Sequence, residues 1–561
     1  MNGQYLPLRL IDRHPSFVAV LLLLLFFIHV VSIVPQKSLT IDEPASIAVG
    51  YAYLKTGDVN LGEDTPPLVR VLSALPLLLL QPQLPLQDSS WQQRIHWKFG
   101  NVFFDSNPPP LYLRMVFWSR VPMILLGVVL GGLLYFVALR IFGARAALAT
   151  LFLFTLEPNI LANTMLVKTD MAAAAVYLWF FYAAWLYLKS PTWRAAFHIG
   201  TVLAVGLLTK LSLLLLPVLA LGVLLIRLFR ERRARPLAHV VGNTLAHSLA
   251  VIAFVVAIIN LGYGLEVFRS GLLHVPLQSS WARFCAHFLP TTFLVGVESV
   301  FRVTAAGWPG FLAGKYSTTG WWYYYPFAMG VKLPISLLIC FTASLLYCFY
   351  AVLRRRDWRW LFPLLPLVIY LVPSLDSKVN AGLRHLLPAF PWLLMMSGAW
   401  IAGILERGSR WLSGAMIILL LALPVSVIRV YPDYLAYFNE FAGGPNNGWK
   451  FLSDSNLDWG EELPRLAHFV KENHIEDLKL AYLGGGNPAY YGIQATELEV
   501  PYVWESHYVP EHFSPAPGIY AISVTFLQGA VFGNRHDYFE YFRSREPWAR
   551  LGGSIFVYKV G

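Results

Sequence analysis

VAVLLLLLFFIHVVSIV (18–34) carries no charge along its length, and SLTIDEPASIAVGYAYLKTGD (38–58) follows it almost at once. With its flanks, the first run meets the roughly 20 apolar residues that a helix needs to cross a bilayer. Two adjacent acids, Asp42 and Glu43, stand just past its end. Similar runs recur through the first three-quarters of the chain. The 561 residues are 57% hydrophobic and only 13% charged, with a mean hydropathy of +0.54. A soluble protein carries about a quarter of its residues as charges. The fold class is therefore an α-helical polytopic membrane protein. The opening MNGQYLPLRLIDRHP has no small-residue cleavage site before its apolar run, so that run reads as a retained first span.

Apolar length and breaks predict spans at 16–35, 116–139, 146–162, 170–188, 195–209, 211–228, 240–262, 326–352, 358–374, 384–404 and 411–430, about 11 in all. Segment 195–228 is divided at Thr209-Lys210. With the N-terminus (Arg9, Arg13) in the cytoplasm, the cytoplasmic turns become Arg140–Arg145, Lys189–Arg194, Arg227–Arg235, Arg354–Arg359 and Arg407–Arg410, all basic. Reading 195–228 as one helix would move the later arginines to the other side, against the positive-inside rule. The net charge of +11 is therefore a statement about orientation, and no nucleic-acid partner follows from it. Cys340 and Cys348 fall in one apolar span and Cys285 is the third cysteine, so no disulfide framework is available.

This threading leaves a membrane module (1–430) with outer loops 36–115 and 263–325, and a tail, 431–561, on the outer face. In the first loop VLSALPLLLL (71–80) is too short to span and reads as an interfacial helix. In the second, the aromatics of GWPGFLAGKYSTTGWWYYYP (307–326) suit a headgroup layer. The tail has strand-like DLKLAYLG (477–484), GIYAISV (518–524) and SIFVYKV (554–560), and helical spacing in LPRLAHFVKENH (463–474), predicting a small C-terminal α/β extracytoplasmic domain. GGGN (484–487) is not a P-loop, because no Gly-Lys-Ser/Thr follows.

The same threading brings the ionisable residues at span ends to one face. The acids are Asp42, Glu43, Glu157 and Asp170; the basic residues are Arg70, Lys168, Lys210, Lys332, Lys378, Arg384 and His385. Charges at a membrane edge are costly unless paired or solvated, which makes them candidates for a site between helices. Each also has a plainer reading. Asp42 could cap the helix beginning EPASIAVGYAYL, with Pro44 in its first turn, and Asp170 could cap the fourth span. Lys210 and Lys332 could be snorkelling lysines, and Arg384-His385 an interfacial anchor. As a set, an acid could take a proton from an attacking hydroxyl or amine, while fixed cations hold a phosphate leaving group.

LTIDEPASIAVGYAYLKTGDVNLGEDTPPLVRVLSALPLLL (39–79) resembles the first outer loop of the GT-C membrane glycosyltransferases. The nearest likeness is the bacterial branch of glycosyltransferase family 39, protein O-mannosyltransferases together with aminoarabinose transferases. EPNILANTMLVKTDMAAAA, GLLTKLSLLLLP, YYYPFAMGVKLPISLL, NAGLRHLLPAFPWL and YPDYLAYFNEFAGGPNNGWKFLSDSNLDWGEELPRLA follow in the family's order, from about 36 to 495. The resemblance implies a polyprenyl-phosphate-sugar donor, transfer on the outer face of a bacterial inner membrane, and inversion at the anomeric carbon. It makes Asp42 the base, Glu43 its support or an acceptor-orienting group, and Asp170 a second acid near the acceptor. Arg70, Lys210, Lys332 and Arg384, with His385, fall to the lipid phosphate. Thr65 and Arg70 stand where relatives often have His and Lys. No cofactor is called as required, and the resemblance does not settle a metal: some GT-C enzymes use a divalent cation, for which Asp42, Glu43 and Asp170 offer oxygen ligands here. The acceptor, whether protein, glycan or lipid, is not specified. In DSNLDWGEEL (454–463) Asp458 and Glu461 have the spacing of a helix cap. The alternative is a flippase of polyprenyl-linked sugars, which would place charges along a path through the bilayer; here the middles of the spans are nearly free of them.

Overall fold

A computed structural model describes residues 13–232, 236–268, 276–406, 410–502 and 512–561. Among them eight helices are long and apolar enough to cross a membrane: Pro15–Gln36, Pro109–Phe142, Asp170–Lys189, Leu211–Glu231, Leu237–Gly262, Ile335–Leu353, Leu383–Glu406 and Arg410–Val430. Each coincides with an expected span. Of the other three expectations, two are met by shorter helices and one is divided. Span 146–162 is two helices, Ala144–Thr155 and Pro158–Thr164, bent by 67° and counted as a ninth span only if taken together. Pro158 has no N–H to continue the first helix, and Glu157 turns to cap the second, accepting from Ile160 N at 2.6 Å. Segments 195–209 and 358–374 form the shorter apolar helices Trp193–Thr209 and Trp358–Ser374. The span expected at 326–352 also begins later, because Pro334 separates Tyr324–Lys332 from Ile335–Leu353. Arg9, Arg233, Arg235 and Arg407, used to orient the chain, lie outside the described residues.

The Leu383–Glu406 helix is the centre of the bundle, with 89% of its most apolar window buried, against 17% for Leu237–Gly262 and Arg410–Val430. Leu249, Ile252, Ile418 and Ile428 project outward from those outer helices. Such a surface suits lipid tails and would be unfavourable in water. In the first loop Leu75, Leu78 and Leu79 are exposed while Leu77 is buried, as an interfacial segment requires.

In the second loop a hairpin pairs β1 (Gly310–Leu312) with β2 (Lys315–Ser317). The tail folds as expected around β3 (Leu478–Ala481), β5 (Gly518–Ser523) and β7 (Ile555–Val560), with the helix Leu463–Glu472 packed on them. Two short strands the pattern did not announce, β4 (Ala495–Glu497) and β6 (Ala549–Leu551), edge the sheet in the order β4-β3-β5-β7-β6. The pairs β3–β4 and β3–β5 are parallel and the others antiparallel.

The tail docks onto the acid-bearing segment of the first loop by backbone pairing. Ser38 N donates to Glu461 O at 2.9 Å and Ile41 N to Trp459 O at 3.0 Å. GGGN provides the clearance. A Cβ on Gly485 would stand 2.5 Å from both Pro44 Cγ and Thr40 O, so only glycine permits that approach. A path is thus fixed from the sheet to the residues on either side of Asp42.

Candidate active site

Asp42 occupies the N-cap position of the Glu43–Thr56 helix, yet its backbone is helical (φ −92°) and its side chain makes no cap bond. A capping side chain normally accepts from the helix's second or third N–H, with extended dihedrals. The Asp42 carboxylate instead meets Lys168 Nζ at 2.6 Å. Glu43 turns the other way and is fully buried. Its oxygens accept from Arg120 Nε at 3.0 Å, Arg120 Nη2 at 2.7 Å, Thr40 N at 2.9 Å and Val167 N at 3.0 Å. These bonds tie the first loop to the Pro109–Phe142 span and to the stretch carrying Lys168. Glu43 therefore supports the loop, and its burial leaves no room for orienting an acceptor.

Asp170 also does not cap. It lies in the first turn of the Asp170–Lys189 span, where its two oxygens meet Lys210 Nζ and Arg384 Nη1, the latter at 3.2 Å. Lys210 reaches it from the extended residue between two helices, so the division at Thr209-Lys210 is what presents this amine. Trp459 joins the two halves of the cluster. Lys168 Nζ lies 5.3 Å and Arg384 Cζ 4.4 Å from its ring centroid, within cation–π range. Arg384 Nε donates to Ser455 Oγ at 3.0 Å. His385 interacts electrostatically with Asp170, and its Nε2 has no hydrogen-bond partner among the described residues.

Access separates the roles. The Asp42 side chain is 43% exposed, against 2% for Asp170 and 0% for Glu43. Lys168, Lys210 and Arg384 are 19%, 21% and 14% exposed, so each keeps a face toward solvent. Burial by surrounding protein atoms would raise the Asp42 carboxyl, but Lys168 and then Arg384 override it and hold it below the usual carboxylate range. Asp42 thus lies in a recess: accessible, ringed by protein, and ionised at neutral pH.

Two expected phosphate ligands are not brought to this cluster. Lys332 is buried and donates to the carbonyls of Leu435, at 2.6 Å, and Asn456, with its ammonium 4.7 Å from the Phe438 ring centroid. It pins the tail rather than facing solvent. Arg70 is buried against the carbonyls of Gly62 and Thr65 and pairs with Asp64 at 3.1 Å. It reaches the cluster only through Asp64, whose charge interacts with Lys168. Loop compaction around Arg70 and the inward turn of the Tyr324–Lys332 helix account for both corrections.

Residues 116–259 match the family model described as dolichyl-phosphate-mannose-protein mannosyltransferase. Over that stretch, about a quarter of the 561 residues, the chain is similar to this family. No curated protein matches the chain significantly. Among solved structures, ArnT from Cupriavidus metallidurans bound to undecaprenyl phosphate is similar at 14% identity over 96% of this chain and 97% of that chain, with a TM-score of 0.45. Its apo-state structure gives 14% identity over the same shares and a TM-score of 0.44. The apo oligosaccharyltransferase of Archaeoglobus fulgidus gives 13% identity over 81% of this chain and 58% of that chain, with a TM-score of 0.43. These are weak likenesses. The family match together with the apolar helices supports a multi-pass membrane glycosyltransferase.

The carboxylates offered for a divalent cation do not fit one in this cluster. Glu43 is saturated by Arg120 and two backbone N–H groups, and Asp42 and Asp170 each face a lysine. Among the described residues no group of three or more His, Cys, Asp or Glu is arranged to hold a metal ion. The cap expected of Asp458 and Glu461 is also absent. Asp458 accepts from Thr525 N at 2.9 Å, Glu461 from Trp459 N at 2.9 Å, and the helix starting at Leu463 has no side-chain cap. Sequence reasoning missed Arg120, Trp459 and Ser455, and named Lys168 without a role. An arginine within an apolar span was the one available signal, for Arg120.

Proposed function

We propose that the chain is an inverting glycosyltransferase that moves a sugar from a polyprenyl-phosphate-linked donor to an acceptor at the outer face of a bacterial inner membrane. The accessibility of Asp42, unlike that of Asp170 and Glu43, carries the reading. An acceptor hydroxyl or amine gives its proton to Asp42 as its oxygen or nitrogen attacks the anomeric carbon. The carbon–oxygen bond to phosphate breaks, and its electron pair leaves with the polyprenyl phosphate. Attack opposite the leaving group inverts the centre. Lys168, Lys210 and Arg384 are the cations open to the phosphate, and charge growing on it would be stabilised by their fixed positions. Asp170 holds Lys210 and Arg384 in place by its two ion pairs.

The test uses purified protein reconstituted in lipid with polyprenyl-phosphate sugars and candidate acceptors. Asp42→Asn is expected to lower turnover about 10²- to 10⁴-fold while polyprenyl phosphate still binds, as loss of a general base does. Arg384→Ala is expected to weaken polyprenyl phosphate binding instead. Unchanged turnover in the Asp42 variant would sink the base assignment.

A further inference from the structure

The loop Ser453–Trp459 belongs to the tail but is fastened to the membrane part of the cluster. Ser455 Oγ donates to Ala381 O at 2.6 Å and accepts from Arg384 Nε. Asn456 Oδ1 accepts from Leu383 N at 3.0 Å, and its Nδ2 donates to Tyr324 Oη at 3.0 Å. A Cβ on Gly382 would lie 2.2 Å from Ser455 Oγ. Ser455 and Asn456 thus seat the loop through their side chains, while Asp454 beside them leaves one carboxylate oxygen without a hydrogen bond from a described residue.

Asp454 is a non-glycine residue with φ +55°, a conformation in which Asp and Asn are tolerated better than most residues. Its N–H donates to Thr525 Oγ1 at 3.2 Å, and its carbonyl accepts from Leu457 N and Asp458 N. Its Oδ1 accepts from Ser455 N at 2.6 Å, whereas Oδ2 takes no hydrogen bond from a described residue. The side chain is partly exposed, and its charge interacts with those of Arg384, Asp42 and Lys168. Burial pushes the carboxyl up to about 6, against the pull of Arg384 and with the repulsion of Asp42 behind it. This left-handed residue is held by three bonds of its backbone groups and one to its side chain. Its other carboxylate oxygen is free of described donors, next in sequence to the Ser455 that holds Arg384. The fold maintains that arrangement against local cost.

A carboxylate beside the phosphate ligands would repel the phosphate itself, so its partner must be neutral and rich in hydrogen-bond donors. We infer that Asp454 is a sugar-binding residue whose free oxygen accepts hydrogen bonds from hydroxyls of the donor's sugar. This rests on the polyprenyl-phosphate-sugar reading above. It makes the tail a contributor of a specificity-determining side chain, in addition to a support for the first loop.

The test compares binding of polyprenyl phosphate and polyprenyl-phosphate mannose to the full-length protein in micelles, followed by tryptophan fluorescence, since Trp459 lies in the cluster. Wild-type protein is expected to bind the mannosylated probe more tightly. Asp454→Gly keeps the left-handed backbone and removes the carboxylate. It is expected to lose about 10- to 100-fold on the mannosylated probe, the scale of a charge-assisted hydrogen bond, with polyprenyl phosphate binding unchanged. Asp454→Asn, which keeps one acceptor oxygen, should recover part of that loss. Equal binding of the two probes by wild type, equal weakening of both in the variants, or no change in either variant overturns the inference. Wild-type protein that binds neither probe counts instead against the donor reading, and the inference falls with it.

Discussion

Asp42 and Glu43 are joined by one peptide bond and have opposite surroundings. Glu43 is enclosed with Arg120 in a buried pair whose remaining lone pairs are taken by backbone N–H groups. Removing one partner of such a pair typically costs 3–5 kcal/mol, because the other charge stays buried and alone. Glu43→Gln is therefore expected to destabilise the protein by about 3 kcal/mol and to lower activity through loss of folded protein. Thermal unfolding in detergent, scored beside turnover per folded molecule, checks this; a variant as stable as wild type would show that Arg120 does not depend on Glu43. Both acids were visible in the sequence as a pair. Which of them meets solvent was not, because that depends on Arg120 and Val167, about 80 and 120 residues away.

At the scale of elements, short irregular segments position the site and helices carry them. Lys168 lies in the bend before the Asp170–Lys189 helix, Lys210 between two helices, Arg384 at the start of the central helix, and Asp42 just ahead of a loop helix. The apolar runs made these helices legible, since period and length are local properties. Their ends were less so. The break at Leu333-Pro334 turned Lys332 inward, where its ammonium finds carbonyls. GGGN offered no chemistry in sequence because its function is steric. Gly485→Ala is expected to push the tail off Pro44 and Thr40 and to reduce transfer several-fold with the membrane helices intact. Limited proteolysis of the tail alongside the transfer assay tests it; an unchanged cleavage pattern would remove the steric explanation.

For the whole molecule, the junction between tail and bundle is rich in buried charge. Lys37 meets Asp433 at 2.7 Å and also Glu462, which Arg465 approaches at 3.4 Å. Asp458 is buried nearby with Oδ1 unpartnered among the described residues, and burial pushes its carboxyl up to about 7, although Thr525 N–H pulls it back. An unfolded aspartate loses its proton near 3.9. Between that value and about 7 the folded state holds a proton the unfolded state has released, so this group's contribution to stability falls as pH rises through that window. Asp458→Asn, neutral throughout, is expected to flatten part of the decline in melting temperature between about pH 4 and about pH 7. A slope identical to wild type would show that Asp458 is not the titrating group.

The sequence by itself determined the membrane class, the positions of the eight long spans, the tail's three main strands and helix, and the presence of Asp42, Asp170, Lys210 and Arg384 at span ends. Those follow from hydrophobic length, alternation and the cost of charge at a membrane edge, all read over a few neighbouring residues. Tertiary structure alone decided which charges pair, which keep a face toward solvent, and that Trp459 from the tail enters the cluster. Pairing and access depend on side chains brought together from distant segments, and no local pattern records where a folded chain places them.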